Sequence, residues 1–322
     1  MFLYDLEKKG SEIIHHKPKK SPAHLTLEHV QRRKALSPDE IIQLETAQKG
    51  FKGELKFYQL VTEVNTTGKF LFDLLFSSQG TEFQIDSLHI HHNTLTMYEI
   101  KHFSGDFFMN QDKWYLASNK QEIRNPLIQL QRSEFLLREL LKPKHPNLNI
   151  QAYLVFVHES FMLYQVPLGY PAIFPAQLKR FQQSIKTNRT IVSQQTENIA
   201  TTLSSLHIGE SKYAKYPTYT HDELQKGIIC SLDCSGFLHY SKRKLQCSTC
   251  EQTKSLKNAL NETIAEFHFL FPKRKITTGS IYEWCNGIVS KKSIQNYLST
   301  YFTMIKNGKH TYYLPSDTSD VK

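Results

Sequence analysis

Asp86, Glu99 and Lys101 are the residues whose types and spacing most directly suggest chemistry. They lie in the stretch TEFQIDSLHIHHNTLTMYEIKHFSG (81–105), where apolar and polar residues alternate as in half-buried strands. Two carboxylates held close together require a counterion. That counterion is either the lysine alone, in an ordinary cross-strand salt bridge on an exposed face, or a divalent cation bound by oxygen ligands.

The pairing of the two predicted strands decides how close these charges lie. If the dipeptide His92-Asn93 forms a two-residue turn, Asp86 lies directly across from Glu99. Lys101 shares the face of Glu99, because residues two apart on a strand point the same way. Opposed Cβ atoms are about 4.5–5.5 Å apart, where like charges destabilise the pair. A turn shifted by one residue would instead place Asp86 across from Lys101.

Three histidines of the same hairpin, His89, His91 and His92, also offer nitrogen ligands. Alternation places His89 and His91 on the face opposite the acids, and His92 lies in the turn. Magnesium prefers oxygen ligands, so we assign these histidines to packing or to the surface.

Four cysteines form two short-spaced pairs that predict a zinc ribbon. The segment CSLDCSGFLHYSKRKLQCSTC has a CxxxC pair followed by a CxxC pair, formed by Cys230, Cys234, Cys247 and Cys250. Four thiolates bind one structural Zn²⁺ tetrahedrally and leave no catalytic position. The segment is too small to bury a sufficient core, so zinc would supply much of its folding energy. Free thiols are the alternative, and the fifth cysteine, Cys285, is expected to be buried in a helix.

Composition and charge limit the possible class and partners. The 322 residues are 39% hydrophobic and 12% aromatic, and the length is sufficient for two or three domains. Forty Lys and Arg against thirty Asp and Glu give a charge of +10, which favours a polyanionic partner such as nucleic acid. No apolar run is long enough to span a membrane, and the N-terminal stretch has no apolar export core. We therefore expect a cytoplasmic protein whose cysteines are thiols or metal ligands.

Local signals predict an α/β domain with the order helix, three strands, helix, strand. Ser37, Pro38 and Glu40 together have the pattern of a capping box at the start of the first helix. The further predicted elements are a strand at 69–77, the hairpin, a short strand or hairpin after Gly105, a helix at 125–141 capped by Asn125, a buried strand at 150–160 and a closing helical pattern from Ile191 to Leu206.

The chain is predicted to have five segments. They are a mobile basic N-terminal arm at 1–36, the α/β domain at 37–208, a linker at 209–221, the zinc ribbon at 222–252 and a small helical winged-helix-like domain at 253–316.

The last segment has the element order of a winged helix. After a helix at 255–272, two short helices are expected at about 281–286, capped by Thr278 or Ser280, and at about 291–302, capped by Ser290; a hairpin turning at Asn307-Gly308 follows. The basic residues Lys291, Lys292, Lys306 and Lys309 would suit phosphates. A protein-interaction module of the same shape is the alternative.

Four motifs in order resemble the nuclease-related domain, the NERD family. They are KGFKGE on the first helix, QIDSL and YEIKHFSG on successive strands, and NPLIQLQR on the next helix, within about residues 48–160. The resemblance implies the restriction-endonuclease-like α/β core of the PD-(D/E)xK nuclease group. His102 and Phe103 stand where relatives often have an asparagine and an aromatic residue, and we expect no effect of this difference on the metal site.

The resemblance also implies site roles. Asp86 and Glu99 would bind Mg²⁺ (or Mn²⁺), with the carbonyl of Ile100 as a further ligand, and Lys101 would lie beside the scissile phosphate as a stabilising charge or as a base. Glu54 would bind the metal directly or through water, unless it is a solvated helix glutamate. Gln129 would orient the lysine or the substrate, unless it is an ordinary surface glutamine.

Together these features predict a metal-dependent nuclease acting on nucleic acid, with DNA favoured, and delivered to it by C-terminal modules. The alternative is a non-catalytic DNA-binding or adaptor protein on a nuclease-derived scaffold. As an adaptor, the chain would have protein partners in a repair or defence assembly.

Overall fold

The computed structural model describes residues 17–66, 68–187, 192–230, 234, 236–241, 244–307 and 310–315. These residues divide into two compact units. The first contains Leu25–Ile41 and the chain from Tyr216 onward, and the second contains residues 17–24 and Ile42–Lys215. The finer domain boundaries given above stay predictions.

The described residues form a mixed α/β architecture. The helices are α1 (Pro22–Gln31), α2 (Pro38–Thr62), α3 (Pro126–Leu141), α4 (Leu178–Ile185), α5 (Gln194–Leu206), α6 (Leu256–Leu270), α7 (Thr278–Trp284) and α8 (Lys291–Tyr301). The strands are β1 (Lys69–Ser78), β2 (Thr81–His91), β3 (Thr94–Lys101), β4 (Gly105–Asn110), β5 (Lys113–Leu116), β6 (Glu122–Ile123), β7 (Asn149–Phe156), β8 (Phe161–Tyr164), β9 (Ala172–Ile173), β10 (Leu238–Ser241), β11 (Lys244–Cys247), β12 (Thr253–Lys254), β13 (Phe302–Asn307) and β14 (His310–Pro315).

The largest sheet of the second unit has the order β1-β2-β3-β7-β9. β1, β2 and β3 are antiparallel, whereas β7 runs parallel to β3 after the crossover through α3. Successive side chains of β3 point to opposite faces of the sheet and belong to two hydrophobic cores. Met97 packs with α3 and α5, and Tyr98 packs with Phe57 of α2. The sheet is therefore covered on both faces, as expected for an α/β domain.

A smaller sheet has the order β6-β5-β4-β8, and its buried residues belong to the hydrophobic core that contains Met97. The predicted hairpin after Gly105 is confirmed as β4 and β5. Trp114 of β5 is completely buried, and the rings of Phe156 and Phe161 stack with centroids 4.1 Å apart. The sequence analysis did not predict β6, β8, β9 or α4, which are all short. In α4 the apolar residues Leu178, Phe181 and Ile185 do have helical spacing, and this signal was missed.

The predicted starts of α2 and α3 are confirmed, and a side chain caps each of them. Ser37 and Glu40 form the reciprocal capping box of α2, with bonds of 3.3 and 2.8 Å. At α3 the amide oxygen of Asn125 accepts the N–H of Leu127 at 2.9 Å. These starts were predictable because capping depends on residues only two or three positions apart.

The expectation of a mobile arm is wrong for residues 22–31, which form α1. Its Leu27 and Val30 are fully buried, a role that a basic-looking segment did not reveal. Shortly after the helix, Arg33 forms a buried ion pair with Glu266 and lies over the Trp284 ring at 4.0 Å. Burial alone would raise the pKa of Glu266, but bonds from His29 and Arg33 outweigh it and lower that pKa to about 2.

The C-terminal part of the first unit follows the predicted element order. β10, β11 and β12 form a three-stranded sheet, and α6, α7, α8 and the β13–β14 hairpin follow. An isolated β-bridge joins Ile276 to Tyr313 of the hairpin. Ser290 caps α8 as predicted, but α7 spans Thr278–Trp284 with Thr277 as its cap, so the predicted cap and span were wrong. Lys309 and the Gly308 turn position lie outside the described residues.

No helix within the described ranges has the length and apolar character to cross a membrane.

Candidate functional site

The β2–β3 hairpin turns at the predicted dipeptide. His91 pairs with Thr94, and the register runs unbroken to Ser87 opposite Tyr98. Continuing it by one position brings Asp86 opposite Glu99. The alternative turn, shifted by one residue, is excluded by this register.

Glu99 is the centre of a polar triad. It is only 4% exposed, and its Oε1 accepts bonds from Lys101 Nζ and from Gln129 Nε2, both at 2.7 Å. Gln129, on α3, also accepts from Lys101 Nζ at 3.3 Å. A glutamine is suited to this position because its amide donates to a carboxylate and accepts from an ammonium at once. The triad fixes the lysine at the C-terminal end of β3.

Asp86 is partly buried, and its Oδ2 accepts the N–H of Ile100 at 2.7 Å. Burial raises its pKa well above the ordinary value, and the charges of Glu99 and Glu54 raise it further. The bond from Ile100 and the charge of Lys101 act in the opposite direction without cancelling that rise. Asp86 is thus a carboxylate that lacks sufficient positive charge around it.

Glu54 reaches this group from α2. Its neighbour Gly53 allows the close approach: a Cβ there would lie 3.0 Å from the Cβ of His102 and 3.5 Å from Cγ2 of Ile100. Burial, then the charges of Asp73 and Glu99, raise the pKa of Glu54 to about 7. The structure therefore brings Glu54, Asp86, Glu99, Lys101 and Gln129 into one neighbourhood.

Asp73, on β1, is an acid near this group that the sequence analysis missed. It lies between the pairs Phe72–Ser87 and Leu74–Ile85, hence across from Asp86, and its φ is +52°. Its carboxylate accepts from Gln84 at 2.9 Å, and burial raises its pKa. The signal was a single acid within the apolar run KFLFDLLF.

The carboxylates near Lys101 are more widely spaced than a closed metal cage. Among the described residues, two sets of at least three His, Cys, Asp or Glu have all their ligand atoms within 4.8 Å, and neither contains these acids. The donor set is nevertheless all oxygen, which is the chemistry that Mg²⁺ prefers. Glu54, Asp86 and Glu99 together carry more negative charge than Lys101 can balance, so the residues fit a divalent cation.

The hairpin histidines pack away from the acids, in agreement with the parity argument. The ring of His89 stacks on Phe70 at 4.2 Å, on the face covered by α2. His91 lies against His92 at 4.4 Å.

The four predicted cysteines converge in the first unit. The Sγ atoms of Cys230 and Cys250 are 3.7 Å apart, those of Cys234 and Cys247 are 3.5 Å apart, and all four lie within 4.8 Å of one another. A disulfide would require about 2.05 Å. Four thiolates around zinc at about 2.3 Å would be roughly 3.8 Å apart by tetrahedral geometry. The spacing is therefore compatible with a structural zinc site.

The backbone around the cysteines is adapted to this convergence. The N–H of Thr249 donates to Cys247 Sγ at 3.3 Å, and the N–H of Cys230 donates to the carbonyl of Gly236 at 2.8 Å. A Cβ at Gly236 would lie 2.6 Å from Cys247 Sγ, so only glycine fits there. Cys285 is buried elsewhere, as expected, but it is the C-cap of α7 and does not lie within the helix.

A second set of possible ligands consists of His221, Asp222 and Glu283. Sequence spacing did not predict it because Glu283 is distant in the chain. The Nδ1 of His221 is 3.0 Å from Asp222 and 3.8 Å from Glu283, and both acids are exposed. Exposed acids near a histidine are common, so this group carries no assignment.

One comparison, with protein-family models, finds a match for the segment that contains these residues. Residues 49–157 match the family model of the nuclease-related domain, NERD. That match, with the mixed α/β fold, indicates a nuclease-related function for this part of the chain. No curated protein matches the chain. One matching solved structure is that of protein VC1899 from Vibrio cholerae, at 13% identity and a TM-score of 0.24. The match covers 51% of each chain, so this chain spans about half of that protein's length.

The crowding at Asp86 predicts a pH-dependent gain of stability on its neutralisation. Its folded pKa lies above the unfolded value, so its contribution to stability is present at low pH and is lost as pH rises through the folded pKa. Asp86→Asn, which keeps an oxygen for the Ile100 N–H, should stabilise the metal-free protein at pH 8, because it removes the crowded charge. The gain should shrink towards pH 4.

Urea unfolding in chelator at both pH values measures this gain. Asp112→Asn, the same change at the exposed turn between β4 and β5, is the control and should be neutral. A loss of stability in Asp86→Asn at pH 8 would show that the carboxylate is not crowded.

Proposed function

We propose that this chain is a metal-dependent nuclease that hydrolyses phosphodiester bonds, with DNA the favoured substrate. The observation that supports it best is the group formed by Asp86, Glu99 and Lys101 within the segment that matches the nuclease-related domain. Glu54 and Gln129 join this group from two different helices. A scaffold without activity would gain stability by losing the crowded acids.

The carboxylates of Glu54, Asp86 and Glu99 would hold Mg²⁺ or Mn²⁺. The cation, when bound, supplies positive charge to the scissile phosphate and promotes ionisation of the attacking water. Binding would also neutralise the excess charge of the three acids, and carboxyl groups with raised pKa values would release protons as the cation binds.

Lys101 would act on the substrate directly. Its ammonium, held by Glu99 and Gln129, would be directed at the phosphate oxygens, where negative charge increases in the transition state. Gln129 is a positioning residue, since its two bonds fix the orientation of Glu99 relative to Lys101. No covalent enzyme intermediate is required, because water is the nucleophile.

Replacing any of three residues should abolish most cleavage without unfolding the protein. Asp86→Ala, Glu99→Ala and Lys101→Ala should each lower the rate by at least about 100-fold, the scale for loss of a group that stabilises transition-state charge. Gln129→Ala should lower it less, because it removes orientation and not charge. Labelled DNA and RNA incubated with Mg²⁺, Mn²⁺ or chelator provide the measurement.

The matched controls are Lys113→Ala and Glu122→Ala, which remove an exposed ion pair from the smaller sheet of the same unit. Both should cleave at the wild-type rate. Cleavage by Asp86→Ala at that rate would refute the site assignment. If the wild-type protein binds nucleic acid but cuts none with either metal, the non-catalytic alternative is favoured.

The cysteine cluster supports a structural zinc site in the same chain. Purified protein should contain about one zinc per chain, and Cys247→Ser should lose it, because three thiolates bind the ion far less tightly than four. Cys285→Ala removes a buried thiol outside the cluster and should keep the metal. Elemental analysis with thiol titration decides the matter. Fresh protein with no metal and all thiols free would exclude the site.

The helical segment after the ribbon is proposed to bind nucleic-acid phosphates. Lys291 and Lys292 begin α8, the position of a recognition helix, and Lys306 is exposed on β13. The order α6, α7, α8, β13, β14 and the Ile276–Tyr313 bridge are typical of a winged helix. A partner protein bound by the same face is the alternative.

Salt dependence separates these two possibilities. The triple variant Lys291→Gln, Lys292→Gln and Lys306→Gln should flatten the fall of log affinity with log salt by about 2.7 for duplex DNA in chelator, at about 0.9 per phosphate. Point variants are preferable to truncation, because Leu25–Ile41 belong to the same unit as the C-terminal segment. An equal loss of charge at Lys142, Lys144 and Lys215 is the control. Equal slopes for both variants would favour the protein-binding alternative.

A further inference from the structure

α2, the helix that carries Glu54, also has two exposed lysines. Lys52 and Lys56 are four residues apart, so both side chains leave the same side of the helix. Lys52 is separated from Glu54 by Gly53 alone. At about 100° per residue, Lys52 and Lys56 leave one side of α2 and Glu54 leaves the other, and Gly53 lies between them against the end of β3.

The same helix packs against the end of β3 at Gly53. A Cβ there would be 3.0 Å from the Cβ of His102 and 3.6 Å from Cγ2 of Val157. This contact places the partly exposed His102 ring beside the two lysines. Burial, His158, Lys52 and Lys56 all lower the pKa of His102, so the groups whose charges act on it are basic.

His158 completes the cluster from the loop after β7. Its ring meets that of His102 edge to face, with centroids 4.9 Å apart. The backbone N–H of Ser160 lies 3.2 Å from its Nδ1 and can only donate, so Nδ1 of the neutral ring is the acceptor. The hydroxyl of Ser160, 2.9 Å away, joins it there. The proton is therefore on Nε2, which is left as a donor for a ligand.

The basic cluster and the acidic group lie at the same end of β3 but on opposite faces of it, because Ile100 and His102 face Gly53 and Lys101 lies between them. Gly53 precedes Glu54, and His102 follows Lys101, and consecutive Cα atoms are about 3.8 Å apart. A polyanion cut at the carboxylates would be repelled by them and would need cations on the adjoining backbone positions. Lys52, Lys56, His102 and His158 supply such groups at the same end of β3.

We infer that Lys52, Lys56, His102 and His158 bind a backbone phosphate of the nucleic acid, next to the phosphate that is cleaved. The lysines attract the phosphate charge, and His158, against which the His102 ring packs, donates from Nε2. This inference rests on the proposed function, because it takes the substrate to be nucleic acid. It does not require that cleavage occur.

Binding measured in chelator tests the site separately from catalysis. Lys52→Gln with Lys56→Gln should weaken binding of a short duplex at least tenfold in low salt, and should reduce the slope of log affinity against log salt by about 0.9, the value for one phosphate. Both side chains are exposed, so the melting temperature should not change. His158→Ala should weaken binding without altering that slope, because a neutral ring displaces no counterion.

Lys142→Gln with Lys144→Gln is the matched control. It removes the same charge before β7 begins, whereas the basic cluster lies where β3 and β7 end. The eight residues of β7 separate the two places by about 23 Å. Equal losses in the two double variants would overturn the inference and leave only a general effect of net charge.

A substrate with one neutral linkage locates the phosphate. Methylphosphonates placed in turn along the duplex should weaken binding to the wild-type protein most at one position beside the cut. The lysine double variant should be insensitive at that position and unchanged at others. Sensitivity that persists there in the variant would contradict the assignment. If the wild-type protein proves unable to cut, the same scan along the bound duplex still reports on the phosphate site, so the two proposals fail independently.

Discussion

The register of β2 and β3 brings Asp86 and Glu99 to opposing positions in a sheet that is covered on both faces, and the surrounding domain is arranged about that contact. Like charges so placed destabilise a strand pair. Three interactions offset the repulsion: the Ile100 N–H on Asp86, and Lys101 and Gln129 on Glu99. The remaining imbalance is seen in the raised pKa values of Asp86 and Glu54. Such crowding is typical of sites whose missing charge arrives with a ligand.

The close approach of α2 at Gly53 has consequences on two sides of the site. A larger residue would move the helix away from His102, and Glu54 would move with it. The same shift would separate Lys52 and Lys56 from the histidines. A single small residue thus sets the position of a carboxylate for a cation and of the basic groups proposed to hold the neighbouring phosphate.

The first unit has a buried ion pair in addition to its hydrophobic core. The buried pair of Arg33 and Glu266 links the segment after α1 to α6, and Arg33 also donates to the carbonyls of Gln225 and Gly227. Breaking such a pair by removing one partner typically costs about 3–5 kcal/mol, since it leaves a buried charge alone. The cysteine cluster lies in the same unit, where a bound zinc would add to the stability that Leu238 and Leu245 of the neighbouring strands gain by burial in the core.

Local rules in the sequence determined the hairpin turn and its register, and with them the opposition of Asp86 to Glu99. They also determined the capping of α2 and α3 and identified the two short-spaced cysteine motifs. Each depends on residues a few positions apart or on strand alternation, so the printed sequence contains the needed information. Only the tertiary structure showed that Asp73 lies near the other acids and that α1 is a helix with buried residues. It also showed that the close packing at Gly53 brings Glu54 to the sheet, and that the rings of His158 and His102 are in contact. These contacts join segments far apart in the chain, and their geometry depends on how whole elements pack, which no local pattern specifies.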